Sequence, residues 1–266
     1  MTTSADWMAK GSELAGSEPC RWERLAEPQM APIRDRVNGL VVLPVGATEQ
    51  HGPHLPVGTD NAIAAAVCGY ASARTGVPLL PVLPFGVSVG HTTKWDGTVS
   101  LVHETLALAI RELAQWLVTK GWTRLLLVNS HFGNDATLRV AVDRLRTDFI
   151  HILQINTLNT YALSPDIWAY FSSDAADLHA NKAETDLMLW IDPDACDMKI
   201  DADDPDRTVD TVFSYPVSRT STNGVTGRPS EASRQRGQSL LIEMGEALTN
   251  LLIKAQTERP PLAASP

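Results

Sequence analysis

The chain has 266 residues, 44% of them hydrophobic, enough to bury a sizeable core, which excludes a disordered protein. Its formal charge of −9, from 22 basic and 31 acidic side chains with no long Lys/Arg run, argues against nucleic acid or an anionic membrane surface as the main partner. The N-terminal stretch lacks the apolar segment of a secretion signal, no run approaches the ~18 apolar residues of a membrane span, and Cys20, Cys68 and Cys196 form no C-x-x-C pair; the expected location is the cytoplasm.

Residues 1–37 read as a polar N-terminal arm, with Trp7 and Trp22 as its anchors. From Asn38 a repeating pattern begins. "GLVVLPVG" is a short apolar run ending in glycine and predicts a buried strand. "TDNAIAAAVCGYASARTG" predicts a helix with its N-cap in Thr-Asp-Asn. "VPLLPVLPFG" is a second apolar run, weakened as a strand by its prolines. "LVHETLALAIRELAQWLVTKG" is an amphipathic helix with a Lys-Gly stop. "TRLLLVNSH" and "IHILQINTL" predict the third and fourth strands, with the helix "GNDATLRVAVDRLRTD" between them. "ANKAETDLMLWIDPD" predicts a further helix, and residues 256–266 a tail.

Strands alternating with helices of this length predict one α/β domain over 38–255, with a mainly parallel sheet flanked by helices. Ligands of such sheets bind beyond the C-terminal strand ends. The polar clusters fall there: "GATEQHGPH" after strand one, "GVSVGHT" after strand two, "NSHFGND" after strand three.

The first cluster gathers Glu49, His51, His54 and Asp60. Imidazole and carboxylate together suit Zn, Mn or Fe, and a Glu-x-His pair in extended chain aims both side chains to one face; a solvated loop with incidental histidines is the alternative. His131 stands just past a strand and gains interest by sharing the edge with Glu49 and Asp60. "DLHANKAETD" adds His179 and Glu184; with a helix start near Ala180, Glu184 faces the crevice and Lys182 solvent, or else Glu184 is an ordinary acidic first turn. His91, Trp95, Trp168 and Asn134 are candidates for a substrate pocket. The aromatic stretch "TYALSPDIWAYFSSD" reads as a lid or a subunit interface. No G-x-G-x-x-G, Walker A, G-x-S-x-G or H-E-x-x-H pattern is present.

Five segments in order, "LPVGATEQHGPHLPVGTD", "GHTTKWDGTVSL", "LLLVNSHFGND", "DLHANKAETDLML" and "GVTGRPSEASRQRG", resemble the creatininase (creatinine amidohydrolase) family over roughly residues 38–255. The resemblance implies a three-layer α/β fold, a homohexamer built as a trimer of dimers, and two divalent ions per chain, Zn, Mn or Fe. It places metal ligands at Glu49, His51, Asp60, His131 and Glu184, with Asp60 bridging the ions. His179 matches the family's acid/base, beside Glu184 in the catalytic set. The implied activity is hydrolysis of a C–N amide bond in a small cyclic amide or formamide by a metal-activated water. Deformylation of a formamidopyrimidine, trimming of a peptide, and a non-catalytic metal-stabilised ligand-binding or scaffold member are the alternatives; a phosphatase-like two-metal enzyme is disfavoured by the lack of a basic phosphate clamp. Two departures bear on the substrate: Gly133 stands where creatininase has a glutamate ligand, and Asn181-Lys182 replaces the commoner Gly-Glu.

Overall fold

The computed structural model describes residues 6–262. Three parallel strands, β1 (Leu40–Val45), β2 (Arg124–Asn129) and β3 (Gln154–Asn159), lie in the order β1-β2-β3, with Leu40 opposite Arg124 and Arg124 opposite Gln154. The ladders end level, at Val45, Asn129 and Asn159, so the loops that follow leave from one edge. Among the described residues the helices are α1 (Trp7–Ala15), α2 (Glu27–Arg36), α3 (Thr59–Thr75), α4 (His103–Thr119), α5 (Asp135–Asp148), α6 (Pro165–Phe171), α7 (Lys182–Ile191), α8 (Val217–Thr220) and α9 (Arg234–Thr257). They fall into two packed groups, α4 with α5, and α1, α3, α7 and α9 together. All six residues of β1 are buried, so both faces of the sheet are covered there, as expected of a parallel α/β sheet.

The second apolar run does not form a strand, and proline is the reason. Residues 77–86 run parallel to the free edge of β1, where Leu80 N–H donates to Val42 C=O and Leu83 N–H to Pro44 C=O, both at 2.9 Å. Pro78, Pro81 and Pro84 have no N–H to give, so the ladder survives only as isolated bridges at Leu79 and Leu83. Pro44 tolerates its place in β1 because its carbonyl faces this irregular edge and not β2.

The helix carrying Asp60 begins at Thr59 with Gly58 at its N-cap, so Asp60 is in the first turn and not in the cap itself. The helix carrying Glu184 begins two residues later than expected. Asn181 is its N-cap, and its side-chain oxygen accepts from the N–H groups of Ala183 and Glu184. The longest described helix, α9, lies where no element is expected. Ser233 caps it, and it buries Leu240, Leu241, Met244, Leu248 and Leu252. The aromatic stretch 160–174 is built into the body: Ser164 caps α6, Ile167 and Phe171 are buried, and Tyr161 stacks on Phe132 at 3.8 Å. Trp7 Nε1 donates to Asp192 at 2.9 Å, and the Trp22 ring meets Trp122 at 5.0 Å. No described helix is long and apolar enough to cross a membrane.

Candidate metal centre

Two trios of ligand atoms stand side by side beyond the sheet edge. His51, Asp60 and Glu184 form one, Glu49, His91 and His179 the other, and within each trio the ligand atoms lie within 4.8 Å of one another. His131 joins them: its Nδ1 is 3.1 Å from Asp60 Oδ2 and its Nε2 is 3.4 Å from Glu49 Oε2. The loop after β1 brings Glu49 and His51, α3 brings Asp60, the loop after β2 brings His131, and the first turn of α7 brings Glu184.

Backbone carbonyls set the imidazoles. His51 Nδ1 donates to Glu49 C=O at 2.9 Å, His131 Nε2 to Val87 C=O at 2.9 Å, and His179 Nδ1 to Gly224 C=O at 2.7 Å. The other nitrogen of each ring then points at a carboxylate: His51 Nε2 at Asp60 Oδ1, 3.4 Å away, and His179 Nε2 at Glu49 Oε1, 2.7 Å away. This is how metal-binding histidines are held, one N–H fixed by an acceptor and the second nitrogen free for the ion.

Glu49, His51, Asp60 and Glu184 are each at most 2% exposed. Four buried atoms here have no hydrogen-bond partner: Glu49 Oε2, His51 Nε2, Asp60 Oδ2 and Glu184 Oε2. Buried polar atoms are rarely left so, and four orphans converging from four residues are the donor set of divalent metal ions accepting N and O ligands.

The charges interlock. Burial opposes ionisation of Glu49, yet His131, His179 and His91 hold its carboxyl well below the ordinary range. Burial likewise opposes ionisation of Asp60, but His51 and His131 bring it to about 2. Burial alone would discharge His51 and His131; the surrounding carboxylates instead raise them to about 10 and about 9. Burial raises Glu184. Burial and the neighbouring imidazole of His179 lower His91 to about 3.

The centre opens into a cavity of about 320 Å³ lined by Glu49, Asp60, His131, Glu184 and His179, with Ser88, Phe132 and Tyr215 on its walls. No described residue of that lining is Lys or Arg. A groove of similar size between α4 and α5 holds no such cluster.

The other expected site residues are distributed differently. His91 lines the cavity and reaches Glu49 Oε1 at 3.3 Å. His54 stays outside both trios; it is buried with Nε2 at 2.9 Å from Thr185 Oγ1. Trp95 packs under Lys94, whose Nζ donates to Ser221 C=O, and is not part of the cavity wall. Trp168 is 42% exposed and its ring is 6.5 Å from Phe132, the aromatic that does line the cavity. Asn134 is buried and ties loops together: its Oδ1 accepts from Val87 N–H, its Nδ2 donates to Gly46 C=O and to Asn129 Oδ1, and it is not on the cavity wall. Lys182 lies against Tyr170 and Glu231, half-buried and not out in solvent.

Gly133 has a local reason. A Cβ there would come within 2.2 Å of Val87 C=O and 2.6 Å of His131 Nε2, the two atoms whose hydrogen bond sets the His131 ring. Sequence reasoning passed over Gln50, inside "EQH", and Ser88, whose Oγ is 3.2 Å from His131 Nε2. Their signal is position within the motifs, since neither residue type announces a role.

Comparison with known proteins gives a consistent answer. A family model described as "Creatininase: Creatinine amidohydrolase" matches residues 23–252. The chain is 32% identical over 232 residues to the mycofactocin precursor peptide peptidase of Mycolicibacterium smegmatis, covering 83% of this chain and 87% of that protein. It is 29% identical to the creatinine amidohydrolase of Pseudomonas putida, covering 76% and 84%. The fold superposes on a mutant creatininase of Zn–Zn type with a TM-score of 0.76 at 25% identity, over 90% of this chain and 98% of that one.

Proposed function

This chain belongs to the creatininase family, hydrolases of C–N bonds, and on that footing we propose that it cleaves the amide bond of a small molecule at a two-metal centre. The carrying observation is the set of four unsatisfied, buried ligand atoms on Glu49, His51, Asp60 and Glu184. Glu49 and His131 would hold one ion, His51 and Glu184 the other, and Asp60 both. When bound, such ions supply a water of lowered pKa and polarise the substrate carbonyl.

The protein's own groups do the rest. His179 keeps Nδ1–H on Gly224 C=O and holds its Nε2 beside Glu49, placed to take a proton from the attacking water and pass it to the leaving nitrogen. That proton matters because an amide anion is a very poor leaving group. Ser88 steadies His131, and Phe132 gives the cavity a flat apolar wall. A lining with four carboxylates, Glu49, Asp60, Asp177 and Glu184, and no Lys or Arg among its described residues suits a neutral or cationic amide better than a phosphorylated one.

A peptide substrate is the second reading, and one feature favours it. Tyr215 and Val217 on the cavity wall continue into Val212 and Phe213, 90% and 73% exposed, an apolar rim that a small amide leaves uncovered. We also propose a cytoplasmic homohexamer, for which light scattering is the test.

The deciding experiment is elemental analysis of untagged protein purified without added metal. Close to two Zn, Mn or Fe per chain, followed by turnover of cyclic amides, formamides or short peptides, supports the proposal. Metal near zero that no reconstitution raises removes the site.

A further inference from the structure

Gln50 lies in the chain between two of the metal-ligand candidates, and its amide has one possible orientation. Gly52 N–H donates to Oε1 at 3.0 Å, which makes that end the oxygen, and Nε2 donates to Gly224 C=O at 3.2 Å. Turned by half a rotation, the amide would set donor against donor at Gly52 and oxygen against oxygen at Gly224. Gly224 itself, at φ 88°, makes room for this arrangement, since a Cβ there would stand 2.1 Å from Gln50 Oε1.

The remaining contact of Gln50 Nε2, at 2.9 Å, is with Nδ1 of His91. An amide nitrogen has hydrogens to give and no lone pair to accept with, so His91 Nδ1 is the acceptor and carries no proton. Glu49 Oε1 is 3.3 Å from the same nitrogen, but its close partner is His179 Nε2 at 2.7 Å. An imidazole that accepts at Nδ1 holds its proton on Nε2. Among the described residues that Nε2–H has no hydrogen-bond partner, and the ring lines the cavity with its centroid 4.4 Å from that of His179.

We propose that His91, locked as the Nε2–H tautomer by Gln50, is a catalytic hydrogen-bond donor to the carbonyl oxygen of the amide. The inference rests on the amidohydrolase reading above. As the attacking water oxygen bonds to the carbonyl carbon, the π electron pair moves onto the carbonyl oxygen, and the Nε2–H receives that developing charge. The pair returns as the C–N bond breaks, and His179, having taken one proton from the attacking water at Nε2, passes it to the leaving nitrogen. The products are an amine and a carboxylic acid, with no oxidant or other co-reactant. His91 gives a hydrogen bond and keeps its proton, so it does not compete with His179 for the acid's task. Gln50 is a positioning residue that acts through His91.

The test is histidine-selective 15N labelling with long-range 1H–15N correlation, on metal-free and zinc-loaded protein, with the His91 signals identified by their loss in His91→Ala. The seven histidines make this tractable. His91 is expected as the neutral Nε2–H form in both states. Gln50→Glu, which replaces the donor by an acceptor, is expected to move the proton to Nδ1. His91→Ala and Gln50→Glu are each expected to lower kcat by about 10²–10³-fold with zinc content unchanged, and His91→Gln, which can still donate, to recover part of the loss. A wild-type His91 protonated at Nδ1, zinc lost in His91→Ala, or unchanged turnover in both variants overturns the proposal. Failure of the wild type to hydrolyse any amide would count against the amidohydrolase reading; the tautomer spectrum decides the His91 assignment in either case.

Discussion

Replacing Gly133 by alanine tests the geometry of the centre directly. The added Cβ would meet Val87 C=O at 2.2 Å and His131 Nε2 at 2.6 Å, both below the 3.0 Å that Cβ atoms keep from their neighbours. Val87 O is backbone, and the His131 ring is hemmed in by Asp60 at 3.1 Å, so neither yields freely. Overpacking of this kind costs about 1–3 kcal/mol. At about 2–4 °C per kcal/mol for a chain of this size, the metal-free protein should melt roughly 2–12 °C lower. The methyl also wedges into the hydrogen bond that orients His131, and loss of such an orienting contact weakens metal binding by about 10–100-fold. Differential scanning fluorimetry in EDTA and zinc titration calorimetry read the two effects separately. Gly90→Ala is the control, because its Cβ would find its nearest atom at 3.6 Å, an ordinary contact. A Gly133→Ala protein that melts with the wild type and binds zinc equally well refutes the argument.

Glu49→Gln and His131→Ala should lose metal and activity together, while His179→Ala should keep its metal and lose at least about 10²-fold in kcat, checked by elemental analysis beside kinetics; near-normal turnover in His179→Ala would end its acid/base role. The pH dependence of the metal-free protein follows from opposed shifts. His51 and His131 are raised to about 10 and about 9, so their contribution to stability is full below about 6.5 and is lost as pH rises through those values. Glu49 and Asp60 are depressed, so theirs is present above about 4 and is lost as pH falls through their native values. Melting temperatures in EDTA should therefore be highest between about pH 4 and about 6.5, falling below that window and falling again as pH rises from about 6.5 toward 9, and a melting temperature that stays level or climbs from pH 7 to 9 would contradict the assignment. Metal must displace the imidazole protons, so zinc affinity should rise with pH and binding at pH 7 should release protons, seen by calorimetry in buffers of different ionisation enthalpy. Asp204 is buried and accepts from Arg207, from Ser221 Oγ and from both N–H and Oγ1 of Thr222, so Asp204→Ala should loosen the segment leading to Gly224 and lower kcat without touching substrate. Unchanged amide-exchange protection over residues 221–227 would refute that link.

Much of this was legible in the sequence because the relevant signals are local. The apolar run of β1 and the periodicities of α3, α4 and α5 report burial on the scale of one element, and the ligand candidates lie in short stretches at strand ends. What the sequence hid depends on distant partners. Asn134 looks like a polar loop residue until Gly46, Val87 and Asn129 are seen around its amide. Residues 77–86 have the composition of a strand, but whether prolines are fatal depends on which carbonyls face them across the edge of β1. Gln50 has no chemistry of its own; its part depends on Gly224, 174 residues away. The last helix was obscured by the polar residues threaded through its apolar stripe.

The carbonyl of Gly224 accepts from His179 directly and from the Gln50 amide that holds His91. In a machined assembly, parts located from one datum keep their spacing even when the datum drifts, whereas parts located in series accumulate error. The two imidazoles come from loops far apart in the chain, and each loop brings its own thermal wander. Referencing both to one oxygen makes the wander common to the pair, so their mutual spacing is better defined than the position of either. Tolerance to change in the surrounding loops is then set less by how stiff they are than by whether that one peptide unit keeps its orientation.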